Sequence, residues 1–587
     1  MAGRGRRPGA APRRAHRPSD RPRSALRRPA IADHAWWRDA VIYQIYTRSF
    51  LDTDGDGVGD LAGVIGRLDY LAALGVDVLW LSPLHPTPNI DYGYDGTDYL
   101  AVAPEMGTLE IFDRLVAEAG RRGIRIMMDM VMDYTSDAHP WFVQARSSRT
   151  SPYHDWYIWA DGPPDRPPNN WPAFFSSGSA WSFDVSTRRW YLHYFTHQQP
   201  ELNWANPAVR RAMHGAMRFW LDRGVAGFRL DVISFLSKPE TLDDMPAELL
   251  GRAGRHYANG PRLHEYLREM RREVFEHYPG TVALGEGFGL AGDQALDFVA
   301  PERRELDLLF LFEISALTFA ETGDRQRPSL ADIRATLKRW QDMLVPAGAW
   351  PTLFLGNHDV ARMVDRFGDT APEHRMASAK LLMTLLLTHR GTPVLYQGDE
   401  IGMANPRFEH LSELRDVAVL NAWRKVLADG GDTAALLDRM NRTGRDTGRT
   451  PVQWSAGPNA GFTTAPESWI KVNPDFRQVN VAAQEGRADS ALEHARALLR
   501  LRRERDVLRR GEVRFVDMEH DQVFAYERVL GDERLLVLLN WSDRPCRYPL
   551  PGAVAAWTPL PVCSGGTPVS GAVDLRPFDA LILEPGR

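Results

Sequence analysis

Gly227-Phe228-Arg229-Leu230-Asp231-Val232 is an apolar run that closes on a carboxylate, and three other stretches of the 587-residue chain close the same way. They are Asp129 in Asp129-Met130-Val131-Met132-Asp133-Tyr134, Glu286 in Leu284-Gly285-Glu286-Gly287, and Asp359 in Gly356-Asn357-His358-Asp359. Each acid follows a short strand-like run, over 124–128, 225–230, 281–284 and 352–355. In a parallel (β/α)8 barrel the residues just past the carboxyl ends of the strands face one mouth, so acids far apart in sequence converge there. A lone Asp after a strand is ordinarily a helix cap or turn residue. Four in order, with Arg229 two before Asp231 and His358 beside Asp359, make a site. An arginine two residues before a carboxylate on a strand points to the same side and keeps that carboxylate ionised.

Working outward, strand-like and helical runs alternate over 41–46, 64–74, 78–81, 109–119 and 124–128, the pattern of βαβ units and a parallel sheet. The rhythm breaks after Asp133. Residues 134–204 are dense in Trp, Pro, Asn, Ser and Gly, which predicts a loop-rich insertion after the third strand. A helix over 207–223 follows, with Asn206 as cap and Pro207 in its first turn. The last barrel strand is expected at 393–396, then a long excursion to about residue 490 and a charged helix over 491–505. Short β segments over 512–516, 523–528, 535–540, 573–575 and 580–583 predict a separate C-terminal β-sandwich. The expected architecture is an α/β TIM barrel over 35–133 and 205–507, an inserted small domain at 134–204, and an antiparallel domain at 508–587.

Composition is that of a soluble globular protein, with 44% hydrophobic and 25% charged residues. The formal net charge is −5, but residues 1–30 carry ten Arg against one Asp, which leaves −14 for the remainder. Residues 1–34 read as a disordered basic tail, since no aromatic interleaves with the arginines as nucleic-acid binding would favour. No apolar segment follows them and no run is long enough to span a membrane, so a cytoplasmic enzyme without nucleic-acid or membrane partners, monomeric or weakly homo-oligomeric, is expected. Cys546 and Cys563 are too few for a disulfide framework and read as small buried residues. The 18 Trp and 17 Tyr suit sugar stacking, although most serve packing.

Converging carboxylates are what cleavage of a glycosidic bond requires: one ionises as nucleophile, one stays protonated as acid, and others hold hydroxyls. A different chemistry is written in Asp52-Thr53-Asp54-Gly55-Asp56-Gly57-Val58-Gly59-Asp60. Carboxylates at alternate positions with intervening glycines wrap oxygen around a hard cation. The expected ligands of a structural calcium or magnesium ion are Asp52, Asp54, Asp56, the Val58 carbonyl and Asp60. The loop lacks the bidentate Glu of an EF-hand, and its alternative is a solvated acidic turn.

The four acid motifs, together with Trp37–Tyr46, Asp91-Tyr92-Gly93-Tyr94-Asp95, Thr135–Phe142, Gly391–Gly398 and Gly444–Trp454, resemble the α-amylase family of retaining glycoside hydrolases. The resemblance is closest to its α-glucosidase and oligo-1,6-glucosidase branch and runs from about Trp36 to the C-terminus. It implies Asp231 as nucleophile, Glu286 as acid/base between two glycines that leave room for a leaving group, and Asp359 with His358 on the sugar hydroxyls. It implies Tyr94 as a stacking floor, and an Asp91–Arg445 ion pair closing the pocket so that only a terminal glucose enters. One departure stands out: the third-strand motif of the family ends Asn-His, and here it ends Asp133-Tyr134. The missing histidine usually contacts the far hydroxyl of the bound glucose, which puts Tyr134 among the substrate-binding residues.

The expected activity is therefore a retaining exo-α-glucosidase on short oligosaccharides or disaccharides with α-1,4 or α-1,6 links. In relatives a Val after the nucleophile, here Val232, goes with α-1,6 preference. A transglucosylase or isomerase using a sucrose- or maltose-type donor shares every catalytic group. A catalytically silent binding subunit would lose the acids and carry a membrane anchor, and this chain has the acids and no anchor.

Overall fold

The computed structural model describes residues 35–175, 178–318, 327–552, 554–563 and 566–586. The basic tail expected at residues 1–34 lies outside the described residues. Eight parallel strands carry the fold: β1 (Ile42–Ile45), β2 (Val78–Leu81), β3 (Arg125–Val131), β4 (Gly227–Asp231), β5 (Val282–Glu286), β6 (Leu308–Phe310), β7 (Thr352–Phe354) and β8 (Thr392–Tyr396). Hydrogen-bonded neighbours run β7-β8-β1-β2-β3-β4-β5-β6. The ends meet through Phe310 and Phe354, whose rings lie 5.0 Å apart edge to face, so the sheet wraps into a barrel. Every residue of β1, β2, β4, β5 and β8 is buried, as expected of strands covered on both faces. β4 and β5 approach so closely at Gly227 that a Cβ there would sit 2.2 Å from the Val282 carbonyl oxygen.

Register decides where the acids emerge. Asp231 and Glu286 are the last residues of β4 and β5, whereas Asp129 lies inside β3 rather than beyond it. Met127 to Val131 pair with Gly227 to Asp231, which sets Asp129 opposite Arg229. The connecting helices begin where the sequence places them. Thr108 caps Leu109–Arg121 and Asn206 caps Pro207–Asp222, each side-chain oxygen accepting a backbone N–H of the first turn.

The insertion after β3 carries a three-stranded antiparallel sheet of Trp159–Ala160, Arg189–Leu192 and Trp181–Asp184. Its aromatic core, including Trp171, Tyr194 and Phe195, packs against Tyr134 and Val232 and so sits over the barrel mouth. The excursion after β8 holds a helical hairpin, Val417–Ala428 and Thr433–Thr443, that the sequence reading left without structure. The C-terminal region has a five-stranded sheet in the order Glu512–Val516, Val523–Leu530, Glu533–Asn540, Ala580–Pro585, Trp557–Pro559, antiparallel throughout. The pair Cys546–Pro549 and Ala572–Leu575 faces it across an apolar core. Both cysteines are free, and they are half-buried rather than buried as expected. Among the described residues no helix is long and apolar enough to cross a membrane.

Candidate active site

Arg229 is the hub. It is 1% exposed, and its Nη1 donates to Asp231 Oδ1 at 2.5 Å and to Asp129 Oδ1 at 2.9 Å. Its Nη2 meets Glu286 Oε2 at 2.7 Å. The sequence predicts an arginine serving Asp231 alone; one guanidinium instead gathers three acids from adjacent strands. Burial pushes Asp231, Glu286 and Asp129 above the usual carboxylate range, with Arg229 opposing in each. The lowering of Asp231 expected from Arg229 is thus outweighed by burial and by the neighbouring carboxylates.

Glu286 Oε2 also accepts the backbone N–H of Val232 at 2.8 Å. Val232 has φ +32° and ψ +41°, a left-handed conformation foreign to β-branched residues. The glycines flanking Glu286 do not leave the room expected of them. A Cβ at Gly285 would meet Leu306 at 2.4 Å, and one at Gly287 would meet Leu290 and the Phe310 carbonyl at 3.1 Å. They permit close packing beneath the strand end. Beside the acid, the half-buried Phe288 ring lies 5.4 Å from Phe174 and 5.8 Å from Phe312, an apolar wall unforeseen from sequence.

Asp359 follows β7 and meets three cationic or polar partners. His358 Nε2 lies 3.0 Å from its Oδ2, while Arg445 and Arg449 reach Oδ1 at 3.2 and 3.1 Å. Burial alone would raise this carboxyl, but His358, Arg445 and Arg449 hold it below the usual range. Burial pushes His358 down to about 3, so the imidazole is neutral at ordinary pH and meets Asp359 as a hydrogen-bond partner. The Gln44 amide lies 2.7 Å from the other ring nitrogen. The Tyr94 hydroxyl lies 2.5 Å from His358 Nε2 and donates to Asp129 Oδ2 at 3.0 Å. Tyr94 lies beside His358 with centroids 5.2 Å apart and planes 5° from parallel.

Arg445 reaches Asp91 at only 3.4 Å, and its principal partner is one the sequence missed. Asp416 takes Nε at 2.8 Å and Nη2 at 2.6 Å in a two-pronged pair. Asp416 and Arg445 flank the helical hairpin, so the pair clasps its two ends. Asp91 is buried and pushed up to about 6, Arg445 and Arg449 countering only part of the burial cost. Tyr134, expected among the substrate-binding residues, donates its hydroxyl to Asp231 Oδ2 at 3.2 Å.

In the acidic loop, Asp52, Asp54 and Asp60 offer oxygens that lie within 4.8 Å of one another. Asp56 is outside that cluster, because its Oδ1 folds back to accept the Val58 N–H at 2.7 Å. Asp52 accepts the N–H groups of Gly55 and Gly57, and Asp60 those of Thr53 and Gly63, which fixes both carboxylates in place. Carboxylates crowded this closely suit a hard cation.

Residues 44–511 match the alpha amylase catalytic domain, and residues 513–582 the C-terminal domain of maltogenic amylase. The chain is 43% identical to oligo-1,6-glucosidase of Parageobacillus thermoglucosidasius, over 88% of its own length and 92% of that protein's. It is 41% identical to the Bacillus cereus oligo-1,6-glucosidase over 94% and 99%. Among solved structures it resembles isomaltulose synthase from Klebsiella sp. LX3, with a TM-score of 0.90 at 40% identity, covering 94% and 99% of the two chains.

Proposed function

Because this chain belongs to the α-amylase family of glycoside hydrolases, we propose that it is a retaining, exo-acting α-glucosidase on short α-glucosides. One observation carries the reading: Arg229 holds Asp231 and Glu286 on its two terminal nitrogens. That shared grip keeps the two carboxyls close enough for direct attack and proton donation. Asp231 attacks the anomeric carbon, Glu286 protonates the departing oxygen, and Asp359 steadies the positive charge that develops on the ring. The Arg445 clasp to Asp416, Asp359 and Asp91 closes one end, which supports release of single terminal glucose units. Val232 after the nucleophile and the oligo-1,6-glucosidase relatives favour α-1,6 over α-1,4 links. Two free thiols accord with a cytoplasmic setting. The test is a panel of isomaltose, maltose, sucrose and trehalose with full product analysis. Glucose released from isomaltose fastest is the expected result, and no hydrolysis of any of the four refutes it.

A second reading has a specific observation behind it. The apolar wall of Phe174, Phe288 and Phe312 beside Glu286 disfavours ordered water and offers faces to a sugar acceptor. On that reading sucrose is isomerised; an isomaltulose synthase mutant from Erwinia rhapontici NX5, 39% identical to this chain, is solved with sucrose as its natural substrate. The same panel separates the two by the ratio of isomer to free glucose.

For the acidic loop, Asp52, Asp54 and Asp60 would hold a structural calcium or magnesium ion, with the Val58 carbonyl nearby in sequence. Such an ion would neutralise the crowded carboxylates and take no part in the chemistry.

A further inference from the structure

Tyr134 is pinned on every side. It is 2% exposed, its ring lies 5.2 Å from that of Phe195, and its carbonyl accepts the Tyr99 hydroxyl at 2.7 Å. Its backbone bridges that of Glu201, and the two neighbouring acids, Asp133 and Glu201, grip Lys238 Nζ at 2.5 and 2.6 Å. The phenol is thereby aimed at Asp231 Oδ2, 3.2 Å away, while Arg229 occupies Oδ1. Neither oxygen of the carboxylate is without a donor.

We propose that Tyr134 is a positioning residue that acts through Asp231 to set the balance between formation and hydrolysis of the glycosyl-enzyme. The proposal rests on Asp231 being the nucleophile. In the first step a carboxylate electron pair bonds to the anomeric carbon. The bond from that carbon to the leaving oxygen breaks, and that oxygen takes the proton of Glu286. In the second step water attacks the same carbon and gives a proton to Glu286. The carbon–oxygen bond to Asp231 then breaks, its electron pair returning to the carboxylate. A phenol hydrogen bond is charge-assisted when Asp231 is a carboxylate and weaker when it is an ester. Whichever oxygen bonds to carbon, Tyr134 favours the free carboxylate. It restrains the first step and assists the second, whose transition state rebuilds the charge.

The experiment uses Tyr134→Phe and an aryl α-glucoside with a good leaving group, so that the second step limits kcat. Loss of a charge-assisted donor should lower kcat about tenfold and lower KM by more, so that kcat/KM, which reports the first step, rises. Mass spectrometry of quenched steady-state enzyme should show the glycosyl-enzyme accumulating. Tyr134→His, which restores a donor, should recover part of kcat. Should the phenylalanine chain fold poorly, fluorotyrosine at position 134, a stronger donor, should raise kcat and KM together. Equal losses of kcat and kcat/KM with unchanged KM and no covalent species, or no response to the fluorotyrosine, overturn the proposal. Labelling of wild-type enzyme by 5-fluoro-α-glucosyl fluoride is read separately. Failure to label Asp231 refutes the parent reading, whereas labelling without the kcat–KM split refutes only the role of Tyr134.

Discussion

Val232 donates its backbone N–H to Glu286 Oε2 at 2.8 Å, from a left-handed conformation at φ +32°. Strain of about 1–3 kcal/mol is typical of such a residue, and here it falls on the peptide that joins Asp231 to the loop beyond. The chain thereby ties Asp231 and Glu286 together twice, through this N–H and through Arg229.

Glu286→Gln keeps an oxygen for the Val232 N–H and removes one of three acids crowded around Arg229. Its melting temperature at neutral pH should equal or exceed that of the wild type. Glu286→Ala leaves a buried N–H and a guanidinium nitrogen unpaired and should be less stable than the Gln variant by about 1–3 kcal/mol. Calorimetry of the pair checks this, and an Ala variant as stable as Gln would show that neither bond matters.

The pH dependence has a definite sign. Turnover needs a proton on Glu286, whose pKa burial raises, with Asp359 and Asp129 adding to the shift and Arg229 opposing it. kcat/KM should fall as pH rises through that elevated value. For an activated aryl glucoside that needs no proton in the first step, Glu286→Gln should retain kcat/KM and lose its alkaline limb. An alkaline limb that persists in the variant assigns it to another group.

Asp416 should matter more than Asp91. It makes two bonds to Arg445 against the single 3.4 Å contact of Asp91. Burial opposes ionisation of Asp416, but Arg445 prevails and holds its pKa below the usual value. Asp416→Asn should cost about 3 kcal/mol, the low end for a broken buried pair, since Asp359 and Asp91 remain to engage Arg445. The stability from Asp416 is present above its ordinary pKa and lost as pH falls through the folded value, so the gap should narrow in acid. Asp91, pushed up to about 6, is partly protonated near neutrality, and Asp91→Asn should be the milder change. Denaturation of both variants across pH reads the order directly.

Chelation should lower the melting temperature without abolishing turnover at moderate temperature. Asp52→Ala should remove that sensitivity, whereas Asp56→Ala should retain it because Asp56 is turned toward the Val58 N–H. If Asp52→Ala remained as sensitive to chelator as the wild type, this loop would not be the binding site.

The barrel and its acids were legible because Asp129, Asp231 and Glu286 terminate or lie within apolar runs whose register is fixed by burial on both faces, and Asp359 follows β7 after a short loop. Asn206 and the strand Glu512–Val516 were read correctly from local signals, a side-chain cap and a short β-type run. Asp416 was hidden, since it acts only once the helical hairpin folds and brings it back to Arg445, 29 residues away. The glycines beside Glu286 were misread because sequence does not say which face Leu306 and Phe310 will occupy. Tyr134 was recognised as a departure, but its aim at Asp231 depends on the Asp133–Lys238–Glu201 cluster, built from three separate segments.

The central claim is that Asp231 and Glu286 act as a nucleophile and acid/base pair through a covalent intermediate. Proton NMR of the first minutes of hydrolysis reads it most directly, before the released sugar mutarotates. From an α-glucoside the account predicts α-glucose as the first product; β-glucose appearing first would contradict it.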